Sequence, residues 1–384
     1  MDIDEQYFNS IDFSTYQALR DYYPFPHLLP NLEVLTCYDN MSAFADVLIQ
    51  PSLKVFTIYD VVDCVEQIST KIQEHGSAIQ ELRVLDDAFQ PDDAFQPDDE
   101  ASYEAIHSMI LALNRLTCLS LAGPLSDAAI FHLSTLSSLE RLTFHLTEAD
   151  YHHILSPRTA SAFPALQKLK IVVSSQCVAA AASFLTSISP SVLVKLEVLV
   201  NDHDPSSESK PVMDEKRIRS LFAAAAKFKT LKEISFTREP FYIEALGPIS
   251  GSVLEPLHAI KGLRWLTLSN LYFRIMPFDV EKIAVAWPEL ILLHLCPDTT
   301  APSALSVQDL LLFATKFPSL RNLAIRIDAT LSSTFEYPPG DTVASSLRRL
   351  YLGTSEISDQ YQQVATFLHK AFPAAYHRVA PSRT

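Results

Sequence analysis

One stretch of the chain reads Phe317-Pro318-Ser319-Leu320-Arg321-Asn322-Leu323-Ala324-Ile325. Its last six residues form a phrase in which the first, fourth and sixth positions are apolar and the others are variable. Such phrases begin at Leu32, Leu53, Ile79, Leu116, Leu139, Leu166, Leu193, Leu231, Leu263, Leu290, Leu320 and Leu347. The intervals between them run from 21 to 38 residues, and 27 is the commonest. A regular recurrence of this length indicates a repeat architecture.

Several phrases are preceded by an apolar or aromatic residue and a proline. The instances are Leu29-Pro30, Phe163-Pro164, Trp287-Pro288 and Phe317-Pro318. Proline disfavours helix at the residue before it, so each pair predicts the end of a helix and the start of a strand. The preceding segments have helical spacing, as Leu310, Phe313 and Ala314 illustrate. The unit of strand, loop and helix, together with the phrase, is the signature of a leucine-rich repeat.

The predicted fold class is therefore α/β, a leucine-rich repeat solenoid of horseshoe shape with about 12–13 repeats. A parallel β-sheet would line the concave face, with helices on the convex face. The alternative is a doubly wound α/β sheet, whose strands read as continuous apolar runs because both faces are buried. Here they alternate, as in Leu139-Glu-Arg-Leu142-Thr-Phe144, and only 7 of 384 residues are glycine. No glycine-rich phosphate-binding motif occurs.

The domain boundaries follow the repeats. Residues 1–31 are predicted to be a partial first repeat or an N-terminal helical segment, 32–373 the solenoid, and 374–384 a C-terminal cap and tail. Two long intervals hold an acidic loop at 86–100, with a tandem hexapeptide, and a polar loop at 201–214. The acidic loop is either a docking site for a basic partner or a tolerated insertion. A helical pattern from Ile357 to Phe372 precedes a cap or a degenerate thirteenth unit.

Charge and composition narrow the class of function. The first 104 residues hold 21 acidic and 4 basic side chains, which argues against nucleic-acid binding by this part. No apolar run is long enough to span a membrane, and the acidic start does not fit a signal peptide. The five cysteines are scattered, as reduced thiols of an intracellular protein would be. We therefore expect a cytoplasmic or nuclear protein.

Motifs of catalysis are not found. The chain contains no G-x-S-x-G, H-E-x-x-H or C-x-x-C sequence. His145, His152 and His153 suggest a metal site at first sight, but adjacent histidines point apart on most backbones. We predict that the protein is not an enzyme and has no catalytic residue, cofactor or metal.

The variable positions of the phrase point into the groove of a horseshoe. Arginine and aromatic residues are frequent hot spots of protein interfaces. The predicted partner-binding residues are Arg141, Lys168, Lys170, Lys195, Trp265, His294, Arg326, Arg349 and Tyr351. They predict a protein partner with an acidic or phosphorylated segment, held by charge-assisted hydrogen bonds. Two alternatives stay open: these are ordinary solvated strand positions, or they hold an inositol phosphate.

The segments Leu28-Leu-Pro-Asn-Leu-Glu-Val-Leu35 and Gln50-Pro-Ser-Leu-Lys-Val-Phe-Thr-Ile58 resemble the repeat region of F-box proteins of mushroom-forming fungi. The later F-P-x-L-x-x-L segments do so too, and the resemblance spans about residues 25–373. It implies that the repeats select the substrate of an SCF-type ubiquitin ligase, whose cullin-ligase adaptor binds a preceding F-box.

No part of residues 1–31 matches the L-P-x-E-(L/I) opening of an F-box, so no adaptor-binding residue is carried over. The adaptor is an expected partner only if an F-box lies upstream of Met1. The alternative is a stand-alone leucine-rich repeat scaffold or inhibitor without a ubiquitin-ligase role.

Overall fold

A computed structural model describes residues 22, 30–37, 48–59, 65–85, 100–146, 162–189, 192–201, 214–239, 248–295, 302–330, 346–355, 357 and 360–378. The chain divides into two compact units, one of Met1–Asp87 with Pro97–Leu116 and one of Ala88–Gln96 with Thr117–Thr384. Apart from Glu100, the predicted acidic loop lies outside the described residues, as do 202–213 of the polar loop and the pair His152-His153.

The first unit contains three parallel strands and two helices. The strands are β1 (Val34–Cys37), β2 (Val55–Tyr59) and β3 (Glu81–Leu85), and β2 pairs with both of the others. Helix α1 (Val65–His75) is followed by a 3₁₀ turn (Gly76–Ala78), and α2 (Glu100–Ala112) comes after β3. The two helices pack together, and Gln73 Nε2 donates a hydrogen bond to Ser108 Oγ at 2.8 Å.

The second unit contains a parallel sheet with the strand order β4-β5-β6-β7-β8-β10-β12-β13-β14-β15. These strands are β4 (Cys118–Pro124), β5 (Arg141–Leu146), β6 (Lys168–Val173), β7 (Lys195–Val200), β8 (Glu233–Arg238), β10 (Trp265–Ser269), β12 (Leu292–Leu295), β13 (Asn322–Ile325), β14 (Arg349–Tyr351) and β15 (Tyr376–Arg378). Strands β9 (Ile249–Ser250) and β11 (Phe273–Arg274) form a separate parallel pair.

Helices alternate with the strands of the second unit. They are α3 (Asp127–Thr135), α4 (Val178–Ser187), α5 (Glu215–Ala225), α6 (Pro277–Ala286), α7 (Leu310–Lys316) and α8 (Tyr361–Ala371), and a 3₁₀ helix covers Gly251–Ala259. Helix α8 lies within the helical pattern that the sequence predicted from Ile357 to Phe372. Neighbouring helices such as α4 and α5 pack against each other, as expected where each repeat contacts the next.

All twelve phrases form a parallel strand, and each strand begins two residues after the first apolar residue of its phrase. Equivalent positions are aligned across the sheet, so that Leu266 of β10 pairs with Ile234 of β8 and Leu293 of β12. The fold is that of a leucine-rich repeat protein, as predicted. One strand, β15, lies where the sequence indicated a cap or a degenerate unit, and it pairs with β14.

Most strands are buried mainly on one face. In the phrase that forms β10, Leu263, Leu266 and Leu268 are fully buried, whereas Trp265 and Thr267 are partly exposed. Side chains alternate between the two faces of a strand, so the apolar positions share one face and the variable positions share the other. This alternation is what the sequence predicted, and it distinguishes the sheet from one covered by helices on both faces.

The aromatic–proline pairs form turns that lead into the strands. Phe163, Trp287 and Phe317 are buried, as predicted. The carbonyl oxygen of each accepts a hydrogen bond from the amide of the leucine three residues later, at 3.4, 3.1 and 3.3 Å respectively. Proline favours the second position of such a turn because its φ angle is already near −65°. The proline therefore ends one element and positions the next.

Candidate functional site

The strand register arranges the variable side chains in rows across the exposed face of the second unit's sheet. The third-position row contains Arg141, Lys168, Lys195, Glu233, Trp265, Leu292, Asn322, Arg349 and Tyr376. The fifth-position row contains Thr143, Lys170, Glu197, Ser235, Thr267, His294, Ala324 and Tyr351. Neighbouring strands lie about 4.8 Å apart, so consecutive side chains of a row can touch.

Four of the predicted partner-binding residues, all of them basic, lie together. Arg141, Lys168 and Lys195 are consecutive in the third-position row, on β5, β6 and β7. Lys170 lies on the same strand as Lys168, two residues further along, and faces the same side. The sheet therefore brings these four residues, which are distant in sequence, into one patch on its exposed face.

Two glutamates enter this patch and change its charge. Lys170 Nζ lies 3.2 Å from Glu197 Oε1, and Lys195 Nζ lies 3.8 Å from the other oxygen of Glu197. Lys195 also lies 2.6 Å from Glu233 Oε1. Lysine and glutamate side chains therefore alternate in the centre of the patch and toward β8.

The glutamates also act on the lysine at the centre of the network. The hydrogen bond that Lys195 donates to Glu233 raises the pKa of this lysine above its ordinary value, although partial burial acts in the opposite direction. Lys195 is thus held as a cation. Lys168, by contrast, is exposed and makes no ion pair with any described residue.

Four other predicted partner-binding residues lie farther along the sheet. Trp265 and Arg349 belong to the third-position row, and His294 and Tyr351 belong to the fifth-position row. They are spread from β10 to β14 and do not form one cluster. Tyr376, which is 72% exposed, pairs with Arg349 and was missed because β15 does not carry the phrase.

Arg326 differs from the other predicted site residues. It is only 8% exposed and lies just beyond the end of β13, outside both rows. Its carbonyl oxygen accepts a hydrogen bond from Ser303 Oγ at 2.9 Å. The strict alternation of a strand does not extend past its last residue, and that is why the seventh position of the phrase need not face the same side as the fifth.

His145 lies on β5, two residues beyond the fifth-position row. Burial, and secondly the charge of Lys170, lower the pKa of this histidine to about 4. The imidazole is therefore neutral at neutral pH. Among the described residues, no three His, Cys, Asp or Glu side chains are grouped closely enough to hold a metal ion.

In the part of the chain that the structure describes, no helix is both long enough and apolar enough to cross a bilayer.

No family profile and no curated protein sequence matches the chain. Among solved structures, an internalin (inlF) from Listeria monocytogenes is similar at 13% identity and a TM-score of 0.41, covering 90% of this chain and 76% of that one. A structure of the yeast Rad7 and Elc1 complex is similar at 12% identity and a TM-score of 0.39, covering 68% of this chain and 69% of that one. The fold assignment rests on the phrases and strand register of this chain.

Proposed function

We propose that the protein binds another protein through the exposed face of the second unit's sheet. The observation that carries this proposal is the register of the variable side chains, which places charged and aromatic residues in two continuous rows. Repeat proteins commonly bind through such an extended surface. Trp265 and Tyr351 provide apolar contact area, and Arg349 provides directed hydrogen-bond donors.

The charges favour a partner with an acidic or phosphorylated segment at the β5–β6 side. Lys170 and Lys195 already interact with Glu197 and Glu233. Lys168 is exposed and lies beside Arg141 in the third-position row. A carboxylate or phosphate placed there would accept charge-assisted hydrogen bonds from Lys168 and Arg141. It would also reduce the repulsion between these two positive charges.

We further propose that the bound protein is a ubiquitin-ligase substrate and that the chain acts in the cytoplasm or nucleus. The support is the resemblance of the repeat segments to those of fungal F-box proteins, in which the F-box binds the cullin-ligase adaptor. Sequencing the 5′ end of the transcript tests this role. We expect an in-frame F-box upstream of Met1 and co-purification of the adaptor. An in-frame stop codon immediately upstream would instead favour the alternative, a stand-alone scaffold or inhibitor.

A differential capture experiment tests the binding surface. The sheet-face variant combines Lys168→Glu with Trp265→Ala. Its matched control combines Lys216→Glu with Phe278→Ala, two exposed residues on helices α5 and α6. Both variants undergo the same change in charge and lose one aromatic ring.

Each immobilised protein is incubated with lysate of the source organism, and retained proteins are quantified by mass spectrometry. We expect at least one protein to bind the wild type and the control but not the sheet-face variant. Equal retention by both variants would contradict the proposal. Thermal denaturation verifies folding, and Lys168→Glu alone replaces the double variant if Trp265→Ala unfolds the protein.

A further inference from the structure

A second basic surface follows the start of the strands in the C-terminal repeats. The residue just before each strand, at the second position of the phrase, forms a strand-start row of Lys232, Arg264, Ile291, Arg321 and Arg348. From Arg264 onward, the amide of each member donates to the carbonyl oxygen of the preceding one, at 2.7–2.8 Å. Four of the five members are therefore cations on consecutive or next-nearest strands, in a chain whose net charge is −15.

Most of these charges have no counter-ion among the residues that the structure describes. Lys232, Arg321 and Arg348 are exposed and make no ion pair with a described residue. Arg264 contacts Glu289, with 3.0 Å between Nη2 and Oε2. Glu289 is the one carboxylate among the described residues 259–265, 287–292, 317–322 and 346–349, which lead into β10, β12, β13 and β14.

The C-terminal end of the row is the most strongly basic part. Arg349 follows Arg348 in the chain, is exposed, and donates its amide to the carbonyl oxygen of Arg321 at 3.0 Å. Three arginines thus project from two adjacent repeats, with backbones about 4.8 Å apart. Like charges at that spacing repel, so a ligand that neutralises them is favoured.

We propose that the strand-start row binds an extended acidic segment of a protein partner. The row from Lys232 to Arg348 spans four strand intervals, or roughly 19 Å, which corresponds to about six residues of extended peptide. Guanidinium groups bind carboxylates through paired, planar hydrogen bonds, and arginine suits this task better than lysine. The inference rests on the proposed function in taking the ligand to be a protein, but it uses the strand-start row instead of the sheet face, and Arg349 lies where the two surfaces meet.

The short length of the row favours an acidic peptide over a nucleic acid. A nucleic acid carries phosphates along its whole length, and those beyond a row of roughly 19 Å would have no cationic partner in it. A short acidic segment can contact the basic row alone. The chemistry that fits is therefore a run of aspartate or glutamate side chains.

The test uses the full chain and a fluorescein-labelled oligoglutamate peptide, with binding measured by fluorescence anisotropy at low salt. The strand-start variant is Arg321→Glu with Arg348→Glu. The matched control is Lys216→Glu with Lys316→Glu, two exposed helix residues that make no ion pair with a described residue. We expect Kd to rise by at least about tenfold in the strand-start variant and by less than about twofold in the control.

Other results would overturn the proposal. An equal loss in both variants would show that only net charge matters, and no binding to the wild type would exclude an acidic ligand. Tighter binding of a single-stranded oligonucleotide would replace the protein ligand by a nucleic acid. If the strand-start variant unfolds, as judged by circular dichroism, Arg321→Gln with Arg348→Gln takes its place.

The sheet-face variant, Lys168→Glu with Trp265→Ala, separates this inference from the proposed function. Lys168 is itself a proposed contact for an acidic segment, so we expect this variant to lose some affinity for the oligoglutamate peptide, but less than the strand-start variant loses. The inference fails if the sheet-face variant loses binding of the peptide while the strand-start variant keeps it. The acidic ligand would then bind the sheet face, and the proposed function would stand. If the peptide result is as expected but no captured protein depends on the sheet face, the proposed function fails and the strand-start row remains.

Discussion

Lys195 Nζ lies 2.6 Å from Glu233 Oε1, joining two adjacent strands of the second unit across the third-position row. The two residues are 38 positions apart in the chain and belong to successive repeats. Glu197 adds a second carboxylate near the same lysine. The central part of the row is therefore neutralised from within, and the positive charge available to a partner shifts toward Lys168.

A double-mutant cycle of Lys195→Met and Glu233→Gln should measure a modest coupling. Both side chains are about a third exposed, so solvent screens the pair and we expect about 0.5 kcal/mol in urea unfolding at neutral pH. The folded pKa of Lys195 lies above 10.5, so this stability is fully present below pH 10.5 and is lost as the pH rises through the folded value. A coupling energy of zero at neutral pH would contradict a stabilising interaction between Lys195 and Glu233.

The aromatic–proline turns should contribute strongly to stability. Phe317 is 2% exposed and its ring stacks on that of Phe313, with the centroids 5.6 Å apart. Phe317→Ala should lower the free energy of unfolding by about 3–5 kcal/mol, because it removes a buried ring and leaves a cavity. We expect similar losses for Phe163→Ala and Trp287→Ala.

Phe278→Ala is the control for these variants, since that ring is 54% exposed. It should change the free energy of unfolding by less than about 1 kcal/mol. Chemical denaturation of the variants in parallel provides the measurement. Losses of the same size at Phe317 and Phe278 would show that burial of the turn aromatics does not explain their effect.

Gly251 should tolerate no side chain. A Cβ atom there would overlap Oδ2 of Asp279, which accepts a hydrogen bond from the Met276 amide at the start of α6. Gly251→Ala should therefore displace this cap and cost about 1–3 kcal/mol. At Gly262 a Cβ atom would meet nothing within 4 Å, so Gly262→Ala should be neutral or slightly stabilising. Thermal unfolding of both variants checks this order.

His145 should make the protein sensitive to mild acid. Its folded pKa of about 4 lies below the ordinary value of 6.5, so the unfolded chain binds a proton first as the pH falls. The stability contributed by the neutral imidazole is present above pH 6.5 and is lost as the pH falls toward 4, by up to about 3 kcal/mol.

A His145→Gln variant should lose less stability over the same range, since glutamine does not titrate. Urea unfolding of both proteins between pH 7 and pH 4 measures the difference. Parallel stability curves would show that another group causes the acid sensitivity.

The repeats could be predicted from the sequence because their signal is local. The spacing of Leu263, Leu266 and Leu268 follows the two-residue period of a strand, and one buried face requires that period. Strand β15 could not be predicted in this way, since Tyr376-His377-Arg378 lacks the apolar pattern. It forms next to β14, where an unpaired strand edge offers backbone hydrogen-bonding groups.

The rows of side chains could also be inferred, because a regular repeat aligns equivalent positions. The net charge of each row could not be inferred, because the ion-pair partner of a side chain depends on which strands are adjacent and in what register they pair. Glu233 neutralises Lys195 only after both strands pair, and the strand-start arginines are brought together by the same pairing. Arg326 is buried because its strand ends one residue earlier.

The amino-acid pattern alone therefore specifies the repeat, the parallel strands and the face that is buried, since these follow from periodicity within a few residues. The distribution of charge over the exposed surface depends on contacts between residues that are 25 to 38 positions apart. Interactions between exposed charges are screened over about 10 Å at 0.1 M salt, so their outcome is set by distances that arise only when the repeats stack.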